Sequence, residues 1–395
     1  MDIQKLSEID SGPLPLLHTL DIHGPEESDL EDFNAMTPPS LPHFGNAMYL
    51  KSFHFYSETN PTQPINHFIF PNIVSLEFSV KPSEGFHAPQ LLDFLEASPM
   101  LRTIELCIAV DISLGDILQD RIVVLPNVES FDLIMAGGSG YELVAHISCP
   151  SARYTSLTQE DEDPEQAFCI SDLWGVIVYQ YTRSPAEEVT LEMRRSAHMI
   201  KCELIFRSPD TTVIKLDYFF DLDDTDEDAI TILKDVFTRA TLVIQNHPQL
   251  ASVKRFNICH SFHLLIPTSI PHIANEARRL FQALAPLDEL TIYHCDTPPY
   301  FHSFIDIPQG DITEPVVFPP IKQLTISHPV RSFDEQCMAA IIGLAELQYA
   351  RGIPFERVVV CRDNMLAGME EGLRPWVGSV EPRDDPLHGP LALRI

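Results

Sequence analysis

Residues 287–295 read LDELTIYHC, and this short run decides the fold because its pattern returns along the chain. Apolar residues occupy its first, fourth and sixth positions, which are Leu287, Leu290 and Ile292. The same pattern begins at positions 253, 321 and 355, so four consecutive units are each separated by 34 residues. A fixed period of this length is typical of a repeat protein.

The pattern also occurs earlier in the chain, with spacings of 23 to 33 residues and often a proline one or two residues ahead. The clear early units begin at Leu17, Leu50, Ile73, Leu101 and Val128. Weaker candidates begin at Ala152, Ala186 and Val213. The fourth and sixth residues of a unit are two apart, so they share one face of a short strand. The first residue turns inward just before that strand.

The segments between these strands have helical spacing of their apolar residues, which predicts helices over 89–98, 226–245, 273–285 and 335–350. A single strand–helix unit is too small to bury its own apolar face, whereas stacked units share one core. The sequence therefore predicts an α/β fold, an irregular leucine-rich-repeat solenoid with a curved parallel strand array and helices on the convex side. About twelve units form one domain over residues 1–381, and residues 382–395 form a loosely ordered tail.

Alternating strands and helices also occur in doubly wound and TIM-barrel enzymes. The alternative hypothesis is therefore a hydrolase-like α/β enzyme whose site is assembled from strand-end loops. That fold would leave the shared proline-led strand pattern without an explanation, so we expect a non-catalytic protein with no catalytic residue, cofactor or metal site.

Two motifs that could suggest chemistry have simpler interpretations. Asp224, Asp226 and Asp228 have the spacing of a calcium loop, but Ala229 replaces its glycine and Asp235 its glutamate. An acidic first turn of a helix explains these residues better. The glycine-rich run 137–140 (GGSG) matches neither the dinucleotide nor the P-loop pattern, so it indicates a turn.

Charge restricts the class of partner. The chain has 57 acidic and 26 basic residues, a formal net charge of −31. Such a surface repels phosphate groups, so we expect no nucleic acid and no membrane as partner, but a protein with a basic segment fits. The eight cysteines form no CxxC pair, and residues 1–9 lack the features of a signal peptide. We therefore expect reduced thiols in a cytoplasmic or nuclear protein.

Several runs resemble basidiomycete fungal F-box proteins: FPNIVSL at 70–76, FPPIKQL at 318–324, ARGIPFERVVV at 350–360 and LRPWVG at 373–378. In that family the repeats are a presumed substrate receptor, and an N-terminal F-box docks on the Skp adaptor of a cullin-RING ubiquitin ligase. No F-box is recognisable here, because residues 1–11 are short and polar and the first repeat begins at Leu17. The resemblance implies a substrate-recognition part alone, for which the Skp adaptor is not an expected partner.

The repeat register predicts two groups of partner-binding residues. At the fourth place after the repeat start, Glu77, Glu105 and Asp132 would lie side by side and hold a Lys/Arg-rich segment of a partner. The alternative is that three acids occur at this position by chance, because the chain is acidic. The full row would read Asp21, His54, Glu77, Glu105 and Asp132, beside a second row of Thr19, Ser52, Ser75, Thr103 and Ser130. Just past four later strands stand His260, His294, His328 and Arg362. These would form a rim that senses pH or meets an acidic partner, or they cap the strand ends.

Overall fold

The computed structural model describes the greater part of the repeat region. The described residues are 17–23, 49–57, 70–80, 86–108, 112–113, 121–136, 140–161, 185–195, 199–209, 213–221, 226–246, 250, 252–260, 270–284, 287–293, 320–327, 335–361 and 366–383. In this part of the chain no helix is both long enough and apolar enough to cross a membrane.

The first ten strands are β1 (Thr19–His23), β2 (Ser52–Ser57), β3 (Ser75–Val80), β4 (Phe86–His87), β5 (Thr103–Ile108), β6 (Ile112–Ser113), β7 (Val123–Val124), β8 (Ser130–Ala136), β9 (Ile147–Ser148) and β10 (Tyr154–Asp161). The other strands are β11 (Glu188–Arg195), β12 (Met199–Arg207), β13 (Val213–Asp221), β14 (Arg255–His260), β15 (Leu287–Tyr293), β16 (Ile321–Ser327), β17 (Arg357–Cys361) and β18 (Ser379–Arg383). The helices are α1 (Ala88–Glu96), α2 (Gly140–Ala145), α3 (Asp226–Asn246), α4 (Ile270–Ala283), α5 (Glu335–Ala350) and α6 (Met369–Leu373).

The chain divides into two compact units. Unit 1 comprises Met1–Arg183 and Thr211–Phe219, and unit 2 comprises Ser184–Asp210 and Phe220–Ile395. Parallel pairing joins β1-β2-β3-β5-β8-β10 in unit 1 and β11-β14-β15-β16-β17-β18 in unit 2. The fold is therefore mixed α/β with extensive, mostly parallel strand pairing, as the sequence predicts. The division into one repeat domain and a tail stays a prediction.

The fourth and sixth residues of each repeat form two stacks on the buried face. In unit 1 the first stack consists of Leu20, Phe53, Leu76, Ile104 and Phe131, paired in register. All five are at most 2% exposed. In unit 2 the corresponding stack is Val189, Phe256, Leu290, Leu324 and Val358. The predicted repeat register is thus confirmed on these strands.

The proline-led pattern marks a tight turn before the strand. The amide of Ile73 donates to the carbonyl of Phe70 at 3.2 Å, and that of Leu101 donates to Ser98 at 3.3 Å. The amide of Val128 donates to Leu125 at 3.4 Å. Proline stands second in each of these four-residue turns, where its fixed φ suits the β-turn. The turn aims the first apolar residue of each repeat inward, so that Ile73, Leu101 and Val128 are buried.

The four predicted helices are confirmed as α1, α3, α4 and α5, with ends that differ from the prediction by a few residues. Contacts between aromatic rings place two of these helices, α1 and α4, against the buried face of the strands. Phe94 of α1 lies 6.2 Å from Phe53, and Phe281 of α4 lies 5.8 Å from Phe256, as ring centroids. The helix α3 begins at Asp226, where the acidic first turn is predicted.

The prediction of a wholly parallel strand array is wrong at β12, which pairs with β11 antiparallel. Three residues separate the two strands, Arg195 from Met199, and so short a connection cannot return the chain for parallel pairing. The final strand, β18, was also not among the predicted repeats. Its half-buried Val380 pairs with Val358, only 22 residues away, and its exposed Pro382 pairs with Val360.

One buried side chain in α5 lacks hydrogen bonds. Gln348 lies one turn after the buried Leu344 and has 0% exposure. Neither its amide nitrogen nor its amide oxygen has a hydrogen-bond partner among the described residues. Burial of an unsatisfied amide costs about 1–3 kcal/mol.

We therefore expect Gln348→Met to raise the free energy of unfolding by about 1–3 kcal/mol, because it removes the unsatisfied amide at similar volume. Urea denaturation measures the change. The control is Gln323→Met, since Gln323 Nε2 donates to Glu289 Oε1 at 2.8 Å. The control should lose about 1 kcal/mol, and a gain for both variants would contradict the interpretation.

Candidate protein-interaction surface

The outward side chains of unit 1 form rows, because parallel strands in register place equivalent positions side by side. Across β1, β2, β3, β5 and β8 the acidic row consists of Asp21, His54, Glu77, Glu105 and Asp132. The hydroxyl row beside it consists of Thr19, Ser52, Ser75, Thr103 and Ser130. Neighbouring strands lie about 4.8 Å apart. The predicted placement of Glu77, Glu105 and Asp132 on adjacent strands is confirmed; their role in binding stays a prediction.

At the β1 end of the acidic row, an imidazole lies between two carboxylates. His54 Nδ1 is 3.3 Å from Asp21 Oδ1 and also 3.3 Å from Glu77 Oε2. All three side chains are at least 41% exposed, so these contacts are weak individually.

The middle of the row is electrostatically unfavourable. Partial burial and the carboxylates of Glu77 and Asp132 raise the pKa of Glu105, and His54 lowers it. Glu105 and Glu77 are exposed, so solvent screens much of this repulsion. In the described part of the chain, no ion pair within 4.0 Å reaches Glu105.

Asp132 ends the row in a more buried place. Burial raises its pKa, whereas a hydrogen bond from the Ser156 hydroxyl and the charge of Lys215 lower it. Its Oδ1 atom is shielded from solvent and accepts no hydrogen bond from the described residues. The ionised form of Asp132 is thus less stable in the folded chain than in water.

The third outward row of unit 1 is less polar. Tyr56, Ser79, Cys107 and Ile134 lie in register two residues further along the strands. All four side chains are half-buried. The acidic row is therefore flanked by hydroxyl groups on one side and by a mixed, partly apolar row on the other.

The outward face of unit 2 has charges of both signs that contact one another. Arg207 Nη1 donates to Glu188 Oε1 at 2.7 Å, and Arg255 Nε lies 3.3 Å from Glu188 Oε2. Further along the same face, Arg357 donates to the side-chain oxygen of Gln323 and lies 3.4 Å from Glu381 Oε2. Gln323 Nε2 also donates to Glu289 Oε1 at 2.8 Å. We define the paired row of unit 2 by these contacts: Arg207, Glu188, Arg255, Glu289, Gln323, Arg357 and Glu381.

An open cavity of about 370 Å³ lies at the beginnings of these strands. It is lined by Glu187, Lys254, Arg255, Asp288, Glu289, Lys322, Gln323, Glu356 and Arg357. Lys322 Nζ donates to Asp288 Oδ1 at 2.5 Å and lowers the pKa of that carboxyl group. Acids and bases are equal in number in the lining, so the cavity has no net charge to attract an ion.

Sequence reasoning missed the paired row of unit 2, although a signal for it was present. Within the 34-residue phase, positions 254, 288, 322 and 356 are Lys, Asp, Lys and Glu. Positions 255, 289, 323 and 357 are Arg, Glu, Gln and Arg. Opposite charges on neighbouring strands are stabilising, so comparison of equal phases would have revealed the row.

The predicted rim is only partly covered by the structure. His260 is the last residue of β14, and its backbone pairs with Met193 of β11. His294, His328 and Arg362 lie outside the described residues. The rim therefore stays a prediction.

No disulfide joins the cysteines that the structure describes, which are Cys107, Cys149, Cys202, Cys259 and Cys361. Burial raises the pKa of Cys149 and of Cys259 to about 12. A thiol of this pKa stays protonated near neutral pH and is a poor nucleophile. In the described part of the chain, no group of three or more His, Cys, Asp or Glu could hold a metal ion.

Comparison with known proteins assigns no family: no protein-family model matches the chain, and no curated protein matches it.

We expect Asp132→Asn to stabilise the protein at neutral pH. Because the folded-state pKa of Asp132 is raised from its ordinary value of 3.8, the folded chain holds the proton more tightly than the unfolded chain. The ionised carboxylate therefore lowers stability as pH rises above that value. Thermal unfolding should show a higher Tm for the variant at about pH 7.5, with a smaller difference at about pH 4, close to the ordinary pKa of the carboxyl group.

The matched control is Asp288→Asn, for which the sign is opposite. Lys322 lowers the pKa of Asp288, so the ionised form is stabilising and its loss should slightly lower the Tm at neutral pH. A fall in Tm for both variants would show that the environment of Asp132 does not disfavour its charge.

Proposed function

We propose that the chain is an irregular leucine-rich-repeat solenoid that binds another protein without catalysing a reaction. In this proposal the acidic row of unit 1 holds a lysine- or arginine-rich segment of the partner, and Glu77, Glu105 and Asp132 make the contacts. Solenoids use extended surfaces made of equivalent positions from successive repeats. The acidic row has this character, since each member comes from a different strand.

The observation that carries the proposal is the contrast between the two outward faces. In unit 2, Glu188 and Glu381 lie within 3.4 Å of arginine nitrogens of the same chain. In unit 1, the pKa of Glu105 is raised in part by carboxylates on both neighbouring strands. A cationic side chain from a partner would relieve repulsion at the acidic row, but would only replace existing contacts at the paired row.

The expected affinity is a sum of small terms. An exposed ion pair contributes about 0.2–1 kcal/mol. Three such pairs change a dissociation constant by roughly threefold to a hundredfold. Because the groups are exposed, the binding should weaken as salt is added.

We propose further, from the resemblance to fungal F-box proteins, that this module is the substrate-recognition part of an F-box-type ubiquitin-ligase receptor. The bound protein would then be a substrate for ubiquitination. No F-box is recognisable within residues 1–395, so direct binding of the Skp adaptor to this chain is not expected.

Small-angle scattering tests the proposed solenoid. A compact globule of 395 residues has a radius of gyration of about 21 Å. A repeat array should give a clearly larger value, because each repeat contacts only its neighbours. A value near that of the globule would contradict the solenoid and leave only the observed strand pairing.

Peptide binding tests the proposed surface. We expect the triple variant E77Q/E105Q/D132N to bind a fluorescein-labelled peptide of alternating Lys and Ser roughly threefold to a hundredfold more weakly than the unmodified chain, by fluorescence polarisation. Its Tm should be equal or higher, because like charges on neighbouring strands are removed.

The matched control, E188Q/E289Q/E381Q, removes the same charge from the paired row of unit 2. It should bind the peptide like the unmodified chain but melt at a lower temperature, since its carboxylates contact cations or amides. Equal losses of binding in the two triple variants would mean that net charge alone attracts the peptide, and the proposed surface would be wrong.

A further inference from the structure

His54 occupies a distinctive place in the acidic row. It is the one member of the five that is not a carboxylic acid, and it lies between the strands that carry Asp21 and Glu77. Its Nδ1 atom is 3.3 Å from a carboxylate oxygen on each side. With 41% of its side chain exposed, the imidazole exchanges protons with solvent directly.

The charges around His54 come from three strands and are mostly negative. On β1 these groups are Asp21 and His23, and on β3 the group is Glu77. On its own strand or just before it, Tyr56 and Lys51 are titratable or charged. The influence of His54 extends one strand further, because its charge lowers the pKa of Glu105 on β5.

Protonation of His54 would therefore change the row as a whole. Imidazole is the side chain whose charge ordinarily changes between about pH 5 and pH 8. Protonated His54 places a cation between two carboxylates, in the kind of position that a partner's lysine would take in the rest of the row. It reduces the negative charge that attracts a basic segment, whereas neutral imidazole leaves that charge intact.

We infer that His54 is a proton-operated regulator of the acidic row, which binds a basic segment more tightly when His54 is neutral and more weakly when it is protonated. This inference rests on the proposed function, since it concerns the same surface and the same class of partner. One added charge at an exposed ion-pair position changes affinity by about 1.5-fold to fivefold.

The test uses two variants of the full chain that fix the charge at this position. His54→Gln keeps hydrogen-bonding ability but never gains a proton, and His54→Lys is always positive. Binding of the alternating Lys–Ser peptide is measured by fluorescence polarisation at about pH 8 and about pH 5.5, at constant ionic strength. Glu105 and Asp132 are present in every variant, so a difference in pH dependence between variants comes from the charge at position 54, including its effect on the pKa of Glu105.

We expect the unmodified chain to lose about 1.5-fold to fivefold more affinity on acidification than His54→Gln. His54→Lys should bind weakly already at the higher pH and show the smaller pH dependence of His54→Gln. The control His23→Gln, on the neighbouring strand β1, should keep the pH dependence of the unmodified chain. Thermal unfolding verifies folding, and His54→Lys decides the question if His54→Gln does not fold.

Two results would overturn the role of His54 and leave the proposed function intact. One is an equal pH dependence of binding in the unmodified chain and His54→Gln, and the other is undiminished binding by His54→Lys at the higher pH. If the unmodified chain binds the peptide no better than E77Q/E105Q/D132N at the higher pH, the proposed function is wrong, and so is the regulatory role of His54.

Discussion

The in-register stacking of two inward side chains per strand is the constraint on which the rest of the structure depends. Each strand is short, and the burial of Phe53 and Phe55 depends in part on β3, which places Leu76 and Phe78 beside them. Register is strongly specified when one face is buried, because a slip of one residue would exchange the two faces. Such a slip on β5 would turn Glu105 into the core.

This fixed register also determines the chemistry of the outward face. Equivalent positions lie side by side, so the signs of the charges at one position of successive repeats decide whether neighbouring side chains attract or repel one another. In unit 2, at the second place after the repeat start, the sign alternates from Glu188 to Arg255 to Glu289, and Glu188 contacts Arg255 on the neighbouring strand. In unit 1, at the fourth place after the repeat start, Glu77, Glu105 and Asp132 have the same sign, and the carboxylates of Glu77 and Asp132 raise the pKa of Glu105.

The sequence predicts those features that depend on one local pattern repeated many times. The strands β14 to β17 follow from the strict 34-residue phase, and the turns follow from proline because its φ is already that of the turn. The repeat pattern of the sequence does not predict β12, because its antiparallel course follows from the short connection after Arg195. Nor does periodicity explain Gly378, where any side chain would begin 2.5 Å from the carbonyl oxygen of Glu356.

The candidate surface was predictable in placement but not in energy. A common offset from the repeat start suffices to put Glu77, Glu105 and Asp132 on adjacent strands. Whether a row is paired depends on how far each side chain reaches across to its neighbours, and no spacing rule contains that information. For example, only the two distances from His54 Nδ1 to the carboxylates of Asp21 and Glu77 show that His54 bridges them.

The magnitudes explain how unit 1 can tolerate an acidic row. Full burial of one large apolar side chain contributes about 1.5–3 kcal/mol, and each of the strands β1, β2, β3, β5 and β8 buries at least two such residues on its inward face. A like-charge pair on neighbouring strands costs only about 0.2–1 kcal/mol. The inward stacks therefore determine the fold with a wide margin, and the outward residues can vary in charge without unfolding the unit. Two units with the same inward pattern can thus present one outward face with paired charges and another on which carboxylates of neighbouring strands repel one another.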